Sequence, residues 1–329
     1  MRKMDNPSKR SVMGAIKRLQ ELRELSILLI ILVISIVLSI MSANFFTTMN
    51  WTIILNGFAL NMIIGVGMTI SLIAGNIDFS VGSMLGVCGF SIALLMQRGV
   101  SIPVAILLAL LVGAFLGLVN GFLIIRLKVL PIVVTMGTWM AYQGLGLMMI
   151  GNRSLASLPA AFKKIAQETR IIGIPFNIFV MIISVLIGIF ILKYVKFFRQ
   201  AFFIGGNKES ARLAGIKVNR FIILSYMLTG ILSAVSAVLM VSRLGSAPAS
   251  MGQGLEFKII VGMLIGGVSF NGGEGTIIGA MLGLMLMSII TNALSIFGIN
   301  AYAQLIIVGI TLTFSVALDE ANRRRKEGG

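Results

Sequence analysis

From about residue 25 to residue 318 the chain alternates long apolar runs with short polar punctuation. Ten runs read as helical segments, at about 25–42, 50–74, 80–97, 102–125, 131–150, 175–194, 221–242, 256–271, 276–296 and 301–318. Most reach or approach the ~20 residues an α-helix needs to cross the hydrocarbon core of a bilayer. Inside that core the backbone must satisfy its own hydrogen bonds, so helices are predicted throughout. The alternating ten-residue segments of a membrane β-barrel do not occur. The predicted fold class is all-α, a polytopic transmembrane helix bundle of about ten spans.

Composition agrees with this picture. Of 329 residues, 57% are hydrophobic and 12% charged, where soluble domains run near ~25% charged. Three regions are expected: a cytoplasmic amphipathic segment at 1–24, a transmembrane domain at 25–318 and a cytoplasmic basic tail at 319–329. Val12, Ile16 and Leu19 share one side of the first segment, which is expected to lie on membrane lipid. Its basic start and the apolar stretch after it suggest a signal peptide. The stretch is too long and lacks a small-x-small cleavage site, so it reads as the first span.

The net charge of +16 changes the picture only in orientation. Lys and Arg crowd the ends of apolar runs, where they face anionic lipid, and no basic patch carries the aromatic platform of a nucleic-acid site. With ten spans, most of the 27 basic residues fall on one side, chiefly in 2–23, 193–220 and 323–326. This predicts a multi-pass membrane protein with both termini cytoplasmic.

There is one cysteine, Cys88, and no histidine, so neither an internal disulfide nor histidine-based metal or acid–base chemistry is expected. No metal, cofactor or enzymatic constellation is expected in the spans. The 11 acidic residues are placed at span edges, loops and tails, with Asp78, Glu256 and Glu274 at edges. Ion-coupled carriers usually need a carboxylate within the membrane, so this placement argues against them and against charged-ring channels. A neutral, hydroxylated solute suits such a pathway. The chain lacks a G-x-x-x-x-G-K-[ST] loop, so any ATP hydrolysis belongs to a partner. The polar points Asp78, Ser80, Ser83, Asn120, Thr135 and Gln143 are the candidate pathway residues.

Glycines recur four apart at Gly82/Gly86, Gly113/Gly117/Gly121, Gly262/Gly266 and Gly279/Gly283, a spacing that lets helix backbones approach, within one bundle or across a dimer interface. Two Gly-rich stretches interrupt apolar runs. The first is Gly75-Asn76-Ile77-Asp78-Phe79-Ser80-Val81-Gly82-Ser83, where Gly75 can end a helix and Ser80 or Asp78 can cap the next. The second is Gly266-Gly267-Val268-Ser269-Phe270-Asn271-Gly272-Gly273-Glu274-Gly275-Thr276. Aligned, Gly75 matches Gly266, Phe79 matches Phe270 and Gly82 matches Gly273. Paired interruptions of this kind point to broken helices and an internal repeat, with Gly75, Gly82, Gly266, Gly267, Gly272 and Gly273 as helix-break glycines. A third motif, Gly205 to Arg220, lies in the most basic internal loop, 195–220. Residues 208–214 there favour a short exposed helix with Leu213 and Ile216 as apolar contacts.

Together these motifs resemble the permeases of bacterial ABC importers for monosaccharides, the ribose, xylose and galactoside group. "GMTISLIAGNIDFSVGS" is similar to that family's Gly-Ile-Asp-Leu-Ser-Val-Gly region, "GGNKESARLAGIKVNR" to its coupling loop, and "GGVSFNGGEGTIIGAMLG" to its second Gly-rich element. Asn76, Phe79 and Val268 depart from the family pattern. The resemblance implies a sugar-import permease that works as a homodimer or heterodimer with ATPase subunits and an extracytoplasmic sugar-binding protein. It implies that Gly206, Asn207, Glu209, Ala211, Arg212 and Gly215 meet the ATPase. Nucleoside or branched-chain amino-acid permeases of the same superfamily, and an ATP-independent carrier, are the alternatives.

Overall fold

The computed structural model describes residues 7–327, and side chains within 24–300 and 302–321. The sidedness expected of Val12, Ile16 and Leu19, and the side chains of the tail beyond 321, lie outside the described residues. The chain is a polytopic all-α bundle. Ten helices answer to the ten apolar runs: α1 (Pro7–Met41), α2 (Thr48–Ile73), α3 (Val81–Gln97), α4 (Ile102–Leu127), α5 (Pro131–Ile150), α7 (Phe176–Tyr194), α10 (Val218–Leu244), α11 (Leu255–Ile265), α12 (Ile277–Ile296) and α13 (Ala301–Glu327). Three further helices lie between them: α6 (Ala160–Gln167), α8 (Lys196–Gly206) and α9 (Lys208–Leu213). A two-residue hairpin, Arg170–Ile171 with Ile174–Pro175, turns through left-handed Ile172 and Gly173.

Eight of the ten are long and apolar enough to cross a bilayer, and α3 is a shorter apolar helix. Helix α11 corrects the predicted span at 256–271, because it stops at Ile265. Its 11 residues rise only about 16 Å, half of a ~30 Å hydrocarbon core. The apolar run continues to Phe270, but Gly266 and Gly267 end the helix within it. Helices α1 and α13 run unbroken through the boundaries expected near residues 24 and 319.

Between lipid-immersed helices the hydrophobic effect vanishes, so close backbone packing must hold the bundle. The glycine rows do this within the chain. A Cβ on Gly113 would strike the carbonyl of Gly230, one on Gly117 that of Tyr226, and one on Gly121 would lie 2.8 Å from Ile223 Cα. These three positions seat α4 on α10. Gly262, Gly266, Gly279 and Gly283 likewise join α11 to α12. Gly82 and Gly86 serve differently: they bed the unwound stretch at residues 249–254, with Gly82 against Gly252 and Gly86 against Met251.

Helices α2 and α3 are the most buried; α2 is enclosed from Phe58 to Ile73 apart from half-buried Asn61. Helices α1, α4, α5, α7 and α13 turn side chains such as Val33, Phe115, Met140, Phe190 and Phe314 outward. So broad an apolar exterior fits hydrocarbon, not water. Cross-helix amides tie the interior: Asn177 donates to Asn56 at 3.0 Å, and Asn50 and Asn292 exchange bonds at 3.1 and 2.8 Å.

Candidate translocation site and coupling helix

Both Gly-rich breaks begin with the same helix ending. At the end of α2 the amide of Gly75 bonds Leu72 O and that of Asn76 bonds Ser71 O. At the end of α11 the amide of Gly267 bonds Leu264 O and that of Val268 bonds Met263 O. Each is a Schellman turn, which requires a left-handed residue after the cap. Gly75 (φ 70°) and Gly267 (φ 93°) supply it. The structural counterpart of Gly75 is therefore Gly267, one position beyond the Gly266 of the sequence alignment. Gly266 itself is an α-conformation cap, and Gly82 is not a break residue: it sits in the first turn of α3.

The first break turns into the bundle. Asp78 is fully buried, and its Oδ1 accepts from the amide (2.9 Å) and hydroxyl (2.6 Å) of Ser80. Asn120 of α4 donates to Ser80 Oγ at 2.7 Å, and Tyr142 of α5 donates to Asn120 Oδ1 at 3.1 Å. The hydroxyl of Tyr226 on α10 donates to Ile77 O at 2.7 Å. Thr135 donates to Pro131 O at 2.9 Å, with Ile77 O at 3.5 Å. Four expected pathway residues, Asp78, Ser80, Asn120 and Thr135, are thus engaged in pinning the break to α4 and α5. The expected cap is also revised, because neither Asp78 nor Ser80 caps the amides of α3 with its side chain.

The expectation that no carboxylate lies inside the bundle is overturned. Asp78 and Glu256 are both 0% exposed. Asp78 follows a turn that dives inward, and Glu256 opens a helix that begins beside Gly82 of α3 rather than at a surface. The N-terminal end of α11 favours a negative charge there. Asp78 Oδ2 and both Glu256 oxygens have no hydrogen-bond partner among the described residues. Missing carboxylates therefore provide no argument against ion coupling.

The other two expected pathway residues, Ser83 and Gln143, meet in a cleft between α3, α5 and the 249–254 stretch. Trp139, Tyr142 and Gln253 line it with them. Its free space of about 20 Å³ admits a water and nothing larger. Trp139 and Gln253 were not among the expected residues, although Trp139 stands one helical turn from Gln143 on α5.

The two breaks and the internal loop come together as bare backbone. Gly273 N donates to Ile73 O at 2.7 Å. A Cβ on Gly272 would lie 2.7 Å from Gly75 N, and one on Gly205 would strike Ile73 O and Gly273 N. Gly272 (φ 88°) and Gly273 (φ 81°) are left-handed. Asp319 of α13 steadies the second break, accepting from Ser269 Oγ and Phe270 N at 3.0 Å each.

From this junction the chain enters α9. Asn207 caps the helix, accepting from the amides of Glu209 (3.0 Å) and Ser210 (2.9 Å). Gly215 (φ 81°) closes it in another Schellman turn, with Gly215 N on Arg212 O and Ile216 N on Ala211 O. Glu209, Arg212 and Leu213 are exposed, and the Arg212–Glu209 pair spans 3.3 Å. Gly206 and Gly215 are also exposed, whereas Ala211 is buried and seats the helix. Ala211 is thus the one expected ATPase contact that the fold turns inward; Leu213, expected as an apolar contact, is 84% exposed. Lys208, at the cation-disfavouring end of α9, reaches back to donate to Asn76 Oδ1 at 3.1 Å. Burial and the nearby Arg212 hold its ammonium below the usual lysine range.

Comparison with known proteins bears on what this arrangement serves. Residues 50–316 match the family described as the branched-chain amino acid transport system / permease component. The autoinducer 2 import system permease protein LsrC of Enterobacter sp. (strain 638) is 33% identical over 258 residues, covering 78% of this chain and 75% of that protein. The ribose import permease protein RbsC of Bacillus subtilis (strain 168) is 31% identical over 283 residues, covering 86% and 88%. LsrC of Yersinia enterocolitica is 31% identical over 282 residues, covering 86% and 78%. No solved structure matches the chain. The chain is a multi-pass membrane protein and belongs to this family of importer permease components.

Proposed function

We propose that the chain is the permease of an ATP-driven importer for a monosaccharide or a related neutral hydroxylated solute. It resides in a bacterial inner membrane with both termini in the cytoplasm. Two permease subunits form the membrane unit, two separate ATPase subunits grip α9, and an extracytoplasmic binding protein delivers the solute. The observation that carries this reading is the linkage of α9: its outer face presents Glu209, Arg212 and Leu213, while its root, through Gly205 and Lys208, touches both helix breaks. A displacement of α9 would therefore be delivered to the two places where the bundle is not regular helix.

The relatives named for ribose and autoinducer 2 support the solute class. So does the narrow cleft, because an indole face beside amide and hydroxyl groups suits a sugar ring, which offers both apolar C–H surface and hydroxyls. The test is uptake of labelled monosaccharides by proteoliposomes holding the permease, its ATPase subunits and the binding protein. ATP-dependent, binding-protein-dependent uptake of a sugar is expected. Uptake of branched-chain amino acids or nucleosides instead would reassign the solute.

A further inference from the structure

We propose that a second cleft, between α2, α11 and α12, is a binding site for the headgroup phosphate of an anionic phospholipid. The cleft has a volume of about 280 Å³ and is lined by Asn61, Lys258, Ser288, Thr291, Asn292 and Ser295 among apolar residues. It is far roomier than the narrow one beside Trp139. Gly57 helps to make it, since a Cβ there would meet nothing within 4 Å.

Two of its polar side chains are unengaged. Neither Lys258 nor Asn61 makes a hydrogen bond or ion pair among the described residues, and both are half-buried. The wall from α12 is already committed: Ser288 and Thr291 bond back to Leu284 O and Met287 O, and Asn292 pairs with Asn50. A lysine set among apolar membrane helices is costly and is usually matched by a carboxylate. Glu256 does not serve, because it points to Gly82 on the other side of α11. Lys258 thus presents three donors and a positive charge, and Asn61 two more donors, to a cavity with no anion of its own. A phosphate, rich in acceptors and negatively charged, completes that set.

The lipid source follows from the rim. Ile53, 47% exposed, lines the same cleft, and Met49 lies one turn beyond it at 77% exposure. Both are exposed apolar side chains beside the cleft, so an acyl chain would lie against them while its headgroup enters between the helices.

The test uses the full chain in nanodiscs of phosphatidylcholine, with and without phosphatidylglycerol, following thermal unfolding. Phosphatidylglycerol is expected to raise the midpoint by several degrees in the wild type and in Lys258→Arg. The rise should vanish in Lys258→Met, which removes the charge, and in Gly57→Leu, which fills the cleft with Lys258 intact. An undiminished rise in Lys258→Met would overturn the site, and an equal midpoint in both lipids would overturn its preference for an anionic lipid. Inorganic phosphate alone reproducing the whole rise would overturn the lipid assignment.

Discussion

Lys208 donates its Nζ to the side-chain oxygen of Asn76 at 3.1 Å, bridging the short helix α9 and the first helix break across 132 positions of sequence. Both partners are tied further. Asn76 begins the segment that Tyr226, Asn120 and Tyr142 pin to three other helices, and Lys208 follows the Asn207 cap. A pull on α9 has a direct hydrogen-bonded route to the interior. Lys208→Met and Asn76→Gly are each expected to lower uptake several-fold while leaving ATP hydrolysis by the assembled complex in place. The double variant should be little worse than either one. A coupling energy on the order of 1 kcal/mol suits a partly exposed, charge-assisted bond, read as a double-mutant cycle on uptake rates. Additive losses would separate the two residues.

The exposed face of α9 gives a second prediction. The Arg212–Glu209 pair is solvent-exposed, and such pairs contribute at most about 1 kcal/mol to folding. Arg212→Ala and Glu209→Ala should therefore leave the melting temperature almost unchanged and still abolish most uptake. Equal loss of stability and transport would make the pair a structural one.

Asp78 separates a structural acceptor from a charge carrier. Its Oδ1 serves two Ser80 donors while Oδ2 has no partner. Asp78→Asn keeps an oxygen for Ser80 and is expected to fold and transport at near wild-type rates. Asp78→Leu strands the Ser80 amide and hydroxyl, at roughly 1–3 kcal/mol for each buried donor. Thermal melting and uptake of the two variants check this. Loss of uptake in a well-folded Asp78→Asn would mark the carboxylate charge as functional.

Glycine positions sort by what a methyl would meet. Gly230→Ala drives a Cβ into the carbonyl of Gly113, and Gly266→Ala into that of Gly279, whereas Gly137→Ala enters open space. The first two should destabilise by about 1–3 kcal/mol, the usual range for overpacking. Gly137→Ala should be neutral or slightly stabilising, since Ala is the better helix former. Survival of a monodisperse gel-filtration peak after heating ranks them.

The ten apolar segments were legible in the sequence because hydropathy records contact with lipid directly. So was the ending of α2, because Gly75 precedes a polar turn. The end of α11 was obscured, since Val268 and Phe270 prolong the apolar run beyond Gly266-Gly267. Depth was not legible at all: Asp78 and Glu256 lie near segment ends in sequence, yet the turn before one and the unwound stretch before the other carry both inward. Residues 208–214 announced a short helix through their helix-forming residues, but no local pattern could show that Lys208 meets Asn76 or that Ala211 faces inward. Those are tertiary facts. Trp139 and Gln143 share a face of α5, a signal the sequence did hold.

The proposed function requires a permease that converts a partner's ATP hydrolysis into movement of its own helix breaks. The most direct measurement compares labelled monosaccharide accumulation in proteoliposomes with the chain alone and with its ATPase subunits and binding protein, each with and without ATP supplied on the α9 side. Concentrative uptake only in the complete, ATP-supplied system is the predicted result. Accumulation against a gradient by the chain alone would contradict it.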